Sequence, residues 1–188
     1  MNFWQGEKVR LRGVEPTDAD TFFKWNQDTE AARRLEFLWP PVPHAEVAEW
    51  LRQQSVKKLD NDAFIWLIET VDSKPIGSIR THNCDHRNGT FSYGVFIAGE
   101  HQRRGYAVDA VRIILRYYFE ELRYEKAIAQ VYAFNTDSIA LHEKLGFKLE
   151  GTHRSMVFSS GQRHDALWYG MTREEWEELN TPTLDLPG

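Results

Sequence analysis

Residues 100–110, "EHQRRGYAVDA", set a glycine between two arginines and an aromatic residue, with an apolar run directly behind. A helix starting near Gly105 leaves its first backbone amides unpaired and carries partial positive charge at that end. A loop of Gln102, Arg103, Arg104, Gly105, Tyr106 and Ala107 can then wrap a pyrophosphate with its N–H groups. Glycine lets the backbone come close, Ala107 is nearly as small, and the two guanidinium groups add charge. The same residues also read as a tight turn with solvated arginines, and the spacing Gln/Arg-x-x-Gly-x-Gly/Ala is common by itself.

A second group lies in "NTDSIALHEKLGF" (135–147). Ser138 and His142 are four residues apart and share one face of a helix. Histidine titrates near neutrality and gives up a proton more readily than a serine hydroxyl. Alternatively, Ser138 helps Asn135 to cap the helix and His142 is a partly buried helix residue. A third group is "HNCDH" (82–86). In an extended strand His82, Cys84 and His86 share a face and have the side chains of a zinc site. No fourth ligand stands at motif spacing, so the expectation is a hairpin end without metal. Cys84 as an acyl-carrying nucleophile would need a depressed thiol pKa, and only the histidines are near it in sequence.

The elements that must position these groups follow from periodicity. Residues 8–14 alternate as a strand, and Thr17 with Asp20 reads as a capping box that starts a helix near Asp18 carrying Phe22, Phe23 and Trp25 inward. The prolines of "LWPPVP" (38–43) stop any helix. Residues 44–59 repeat Val47, Trp50 and Leu51 at helical spacing. Strands are expected over 63–70 and 75–84. Asn-Gly in "HRNGT" predicts a hairpin into a strand over 90–97. A helix over 107–123 carries Val108, Val111, Ile114, Leu115 and Tyr118 as one stripe. A strand over 126–134, a helix over 137–147 ended by Gly146, a hairpin turning at Ser160-Gly161 and a helix over 172–179 complete the order. This interleaving implies an α/β (α+β) mixed sheet, one domain over 1–180, and a frayed tail over 181–188. With 188 residues, a net charge of −5, one cysteine and no long apolar run, the chain reads as a globular cytoplasmic protein and not as a nucleic-acid or membrane protein.

Taken together, the sequence resembles the GNAT superfamily of N-acetyltransferases, and within it the RimJ/RimL-like branch, which is also similar to spermidine acetyltransferases. Four segments in order over residues 7–179 carry the resemblance: "KPIGSIR" (74–80), "HQRRGYA" (101–107), "NTDSIALHEKLGFKLEG" (135–151) and "GQRHDALWYGMTREEW" (161–176). The resemblance implies a GNAT-like fold with a central, mostly antiparallel sheet flanked by helices. Two parallel strands, 90–97 and 126–134, would splay around the pantetheine of acetyl-CoA. It further implies direct acetyl transfer to an amine, with the thioester carbonyl polarised by amides around Val95, Phe96 and Ile97. Gln102, Gly105 and Ala107 occupy the pyrophosphate-loop positions, and Asn135, Ser138 and His142 belong to the second CoA-contacting segment. The reaction needs proton loss from the ammonium, donors for an oxyanion and an acid for the departing thiolate.

Two departures bear on that chemistry. Relatives commonly carry tyrosine where this chain has His142, whereas Ser138 matches a serine given the acid role in RimL-like enzymes. Ser92 stands where many relatives have a glutamate base, which leaves His82, Asp85, His86, Glu36 or a water. The acceptor end is expected from residues 25–45 and 158–165, where Asp28, Glu30, Glu36, Phe37 and Trp39 suit a cationic amine such as a peptide N-terminus, a polyamine or an amino sugar. A solvated helix face accounts for the acids equally well. The substrate-side candidates are thus Glu36, Trp39 and His82, and a homo-oligomer is compatible. The missing carboxylate and His142 also fit a catalytically impaired CoA-binding regulatory domain of the same fold.

Overall fold

The computed structural model describes residues 2–35, 38–57 and 61–180. Glu36 and Phe37 from the acceptor-side stretch, and the expected tail, lie outside the described residues. Seven strands form one sheet in the order β1-β2-β3-β4-β5-β7-β6. These are β1 (Val9–Gly13), β2 (Ile65–Thr70), β3 (Pro75–Asp85), β4 (Thr90–Ile97), β5 (Lys126–Tyr132), β6 (Lys148–Ser159) and β7 (Gln162–Thr172). Every neighbouring pair is antiparallel except β4 and β5. The helices are α1 (Ala19–Trp25), α2 (Thr29–Leu35), α3 (His44–Ser55), α4 (Tyr106–Arg116), α5 (Thr136–Leu145) and α6 (Arg173–Asn180).

The sheet separates two apolar layers. On one face α4 buries Ala110, Val111, Ile114 and Leu115 completely against Val9, Ile79, Phe91 and Ala127. Each of the larger side chains among these contributes about 1.5–3 kcal/mol when removed from water. Tyr118 continues the stripe and stacks on Phe91 with ring centroids 4.1 Å apart. The opposite face is smaller: Leu67 meets Val14, Ala19 and Phe22 and, from α3, Val47 and Leu51.

Local differences from the sequence reading have physical causes. The turn before α1 is closed by Asp18, whose Oδ2 accepts from the Glu15 amide at 2.8 Å, and not by the Thr17–Asp20 pair. Asp18 also binds the Arg12 guanidinium, which reaches Glu69 as well, so a buried ion network spends that carboxylate on tying β1, β2 and the helix entry together. Trp50 of α3 is 39% exposed and lies against Phe22 only at its edge of the layer. The long helix expected over 107–123 is α-helical to Arg116 and then widens into a π-turn over Tyr117–Glu121. Tyr118 of that turn and Tyr124 just after it anchor a distant loop, because their hydroxyls both donate to Asp62. The two hairpin turns stand where Asn-Gly and Ser-Gly predict them, with positive φ at Gly89, Ser160 and Gly161.

Candidate active site

The parallel pairing of β4 and β5 lasts three residues: Thr90 opposite Lys126, Phe91 opposite Ala127 and Ser92 opposite Ile128. Beyond Ser92 the strands part, β4 staying with β3 as far as Ile97 and β5 with β7 as far as Tyr132. A wedge opens inside the sheet. The Ala98 amide donates to the Ile76 carbonyl at 2.9 Å. Amides alternate sides along a strand, so Gly94 and Phe96 also turn toward β3, and Val95 and Ile97 turn toward the wedge. Of the three amides expected at a thioester, that of Phe96 thus faces the partner strand, and its ring packs on Trp25 at 5.4 Å. Gly77 of β3 keeps this register tight: a Cβ there would run into the Phe96 carbonyl.

The glycine loop closes the wide end of the wedge. Gln102 Nε2 donates to the Ile97 carbonyl at 2.9 Å, and Arg104 Nη2 to the Glu100 carbonyl at 3.1 Å, so both brace the loop. Gly105 is the N-cap of α4 at φ 82°, where a side chain would be strained. No side chain caps α4, which leaves the amides of Tyr106, Ala107 and Val108 without helical acceptors. Arg103, 83% exposed in its side chain, pairs with Asp137 at 3.4 Å. An uncapped helix N-terminus, a glycine that permits close approach and a slit lined by strand amides fit a pyrophosphate followed by an extended amide-bearing arm.

Two residues that sequence reasoning missed hold this loop from behind. Asp109 accepts from the backbone amides of Lys8 and Val9 at 2.7 and 2.9 Å, and from that of Glu7 at 3.3 Å. Lys8 Nζ donates to the Arg104 carbonyl at 3.0 Å. No local periodicity signals contacts about a hundred residues apart in the chain.

α5 starts on Asn135, whose Oδ1 accepts from the Ser138 amide at 3.2 Å and whose Nδ2 donates to the Arg34 carbonyl at 3.1 Å. The Ser138 hydroxyl lies 3.4 Å from His142 Nδ1, so the two residues do share a face, but unequally. Ser138 is half-buried, and His142 is 4% exposed among the rings of Tyr93, Phe147 and Tyr169. His142 Nδ1 is 2.7 Å from the Ser138 carbonyl, which only accepts, so Nδ1 carries the proton. That leaves Nε2 as a bare acceptor, buried without a partner, as is the Tyr93 hydroxyl. Burial pushes the His142 pKa down, against the carbonyl hydrogen bond that raises it, and pushes the Tyr93 phenol far up.

The remaining candidates scatter. His82 pairs with Ser92 across β3 and β4, at the floor of the wedge. Its neighbours Ile79 and Thr81 are buried toward α4, so His82 projects from the other face. Asn83, at φ 50°, and a register shift break the alternation of His82, Cys84 and His86. Cys84 Sγ donates to the Asp62 carbonyl and its thiol is pushed up by burial, while His86 pairs with the Asp62 carboxylate at 2.8 Å. Asp85 is spent on the amides of Arg87 and Asn88 in the hairpin turn. Among the described residues no group of three metal-ligating side chains is close enough to hold an ion. Trp39 is 61% exposed.

Comparison with known proteins agrees with this geometry. The family model described as an acetyltransferase (GNAT) domain matches residues 8–148. The chain is 37% identical over 177 residues to the SPbeta prophage-derived uncharacterized N-acetyltransferase YokL of Bacillus subtilis, covering 94% of this chain and 97% of that one. It is 33% identical over 178 residues to the putative ribosomal N-acetyltransferase YdaF of the same organism, covering 91% and 94%. The fold is shared with the crystal structure of spermidine N-acetyltransferase from Vibrio cholerae in complex with CoA and spermine, at a TM-score of 0.79, 21% identity and coverage of 89% and 97%. Parted strands, an uncapped glycine-started helix and these relatives lead to one assignment: the chain belongs to the GNAT acetyltransferase family and is an acetyl-CoA-dependent N-acetyltransferase.

Proposed function

We propose that this enzyme acetylates the primary amine at a protein or peptide N-terminus, in the manner of the RimJ/RimL-like branch. The observation that carries the site assignment is the parting of β4 and β5 beyond Ser92, directly below the uncapped start of α4. Acetyl-CoA supplies the acetyl group as an activated thioester. The amides of Tyr106, Ala107 and Val108 bind the pyrophosphate, and those of Val95 and Ile97 orient the arm and its carbonyl. Asn135 holds the start of α5 against α2, which fixes the Ser138 hydroxyl at the wedge.

Ser138 is the residue that gives the proton to the departing sulfur. The neutral tautomer of His142 carries its proton on Nδ1, where the Ser138 carbonyl holds it, so His142 positions Ser138 and is not the acid. Of the four base candidates, Asp85 and His86 are engaged at the far end of β3 and Glu36 lies outside the described residues. We assign acceptance of the ammonium proton to His82, directly or through a water, because it stands level with the wedge floor on the face away from α4.

A polyamine is the second reading, favoured by the acidic composition of residues 28–36. Two of those acids are occupied: Asp28 Oδ1 accepts from the Ala31 amide at 3.0 Å, and Glu30 pairs with Arg33 at 3.2 Å. That supports a singly charged acceptor over a long polycation. The one unpaired thiol, Cys84, supports a reducing compartment such as the cytoplasm. Thiol release from acetyl-CoA, followed with N-terminal peptides and with spermidine, tests the assignment. Turnover with peptides is expected, a preference for spermidine overturns the acceptor, and no turnover with any amine overturns the catalytic roles.

A further inference from the structure

A hollow of about 320 Å³ opens at the edge of the sheet, where β1 ends beside β2. β3 and β4 stand between it and the wedge, so it is separate from the acetyl-transfer site. Its volume is about twice the roughly 150 Å³ in which an apolar cavity holds benzene, and it reaches the range of small-molecule pockets. Four rings wall it: Trp4 of the N-terminal segment, Phe64 just ahead of β2, Trp66 within β2 and Tyr117 of the π-turn. Trp4 lies 5.7 Å from Trp66 and 4.7 Å from Tyr117, and Phe64 lies 5.4 Å from Trp66, with no pair stacked face to face.

Gly13 keeps the hollow open. It stands opposite Trp66, and residues paired across antiparallel strands share a face, so a side chain at this position would lie beside the Trp66 indole. A Cβ there would meet no atom within 4 Å. Apolar walls without partner atoms forfeit their dispersion contacts, which a guest ring would restore.

The polar groups of the wall favour one sign of charge. Among the described residues the indole N–H groups of Trp4 and Trp66 and the Tyr117 hydroxyl have no hydrogen-bond partner. Burial, and then the charges of Asp62 and Glu121, push the Tyr117 phenol up, so it keeps its proton. Lys57 supplies the charge at the rim: its Nζ gives one proton to the Ala63 carbonyl at 3.1 Å and has two more to give. No carboxylate lines the hollow, and Asp62 nearby is paired with His86 at 2.8 Å. Ring faces by themselves also attract cations, but the Lys57 ammonium reverses that preference.

We propose that this hollow binds a small aromatic monocarboxylate, with its ring among Trp4, Trp66 and Tyr117 and its carboxylate at Lys57. The site is independent of the acceptor amine and of acetyl-CoA.

Calorimetric titration with 3-phenylpropionate, 3-phenylpropionamide and 3-phenylpropyltrimethylammonium tests it, since none of the three carries an amine that acetyl could join. The native protein is expected to bind the acid with a Kd of about 1 mM or below, and about 3- to 10-fold more tightly than the amide, between the ranges for an exposed ion pair and a buried charge-assisted bond. Saturating CoA is expected to leave that Kd unchanged. Lys57→Met keeps the stem without the charge and is expected to bind acid and amide alike. Gly13→Leu fills the hollow at a position where φ lies outside the left-handed region, and is expected to weaken both at least 10-fold with native CoA affinity. Melting temperatures without ligand check the fold of both variants, and Lys57→Met decides alone if Gly13→Leu is destabilised. No saturation by about 10 mM acid overturns the proposal. So does an amide or cation that binds the native protein as tightly as the acid, a preference for the acid that survives in Lys57→Met, or displacement of the acid by CoA.

Discussion

Ser138 and His142 look interchangeable as residue types, and their surroundings separate them. The capping oxygen on the Ser138 amide comes from Asn135, so removing the Ser138 hydroxyl leaves the cap intact. Ser138→Ala is therefore expected to lower kcat by about 10²-fold or more, the usual range for an acid catalyst, with CoA affinity and melting temperature close to native. His142→Phe keeps a ring between Tyr93 and Tyr169 and is expected to hold kcat within about 10-fold. Steady-state kinetics of the two variants decide: a silent Ser138→Ala with an inactive His142→Phe would transfer the acid role. The spacing of four that pairs these residues was legible in the sequence. The unequal burial was not, because it depends on Tyr93 of β4, Tyr169 of β7 and Phe147 in the link after α5.

At the scale of elements, the wedge exists because β4 is held on one side and released on the other. Gly77 is the pivot, since its missing side chain lets the Phe96 carbonyl approach β3. Gly77→Ala would displace β4 where the Val95 and Ile97 amides face the wedge, and is expected to raise the Kd for CoA at least 10-fold while costing about 1–3 kcal/mol of stability, the range for overpacking. Gly105→Glu puts a carboxylate into the anion cradle and is expected to abolish CoA binding with a native circular dichroism spectrum. An unchanged Kd in either variant would relocate the site. The strands, both hairpins and the glycine-started helix were readable from alternation, Asn-Gly and helical spacing. The α2 helix was not, because none of its residues is buried and it shows no apolar stripe. Nor was the π-turn, whose Tyr118 hydroxyl donates to the Asp62 carbonyl of a loop far away in the chain.

For the molecule as a whole, two buried sets of groups titrate in succession. His142 is lowered from 6.5 by burial, so the unfolded chain takes up its proton first. Its contribution is complete above about pH 6.5 and fades as the pH falls below that value. Burial raises Glu69 and Asp18, but hydrogen bonds from Arg10 and Arg12 outweigh it and leave both lowered. Their contribution is present above the unfolded carboxylate values of 4.5 and 3.8 and is lost on further acidification. Urea denaturation at pH 8, 5.5 and 3.5 is expected to show two successive losses, and His142→Phe is expected to remove the first alone. A first loss that persists in that variant would assign it to another group. Composition and element order carry the mixed helix-and-strand architecture, whereas this acid sensitivity follows from contacts between distant segments.

The clamp of Asp109 on the amides of Glu7, Lys8 and Val9 makes the beginning of the chain a working part of the ligand loop. Phe3 and Trp4 add rings against Tyr117, and Arg116 lies 4.2 Å over the Phe3 ring. Residues 2–8 thus behave as a splint laid along α4, although they precede every strand and helix. Trimming residues 2–7, or fusing a bulky partner directly to Phe3, is expected to loosen the Arg104–Gly105 backbone and weaken CoA several-fold in a fluorescence competition assay, while the same partner fused after Asn180 leaves affinity unchanged. Equal affinity for all three proteins would show that the loop keeps its shape without the splint.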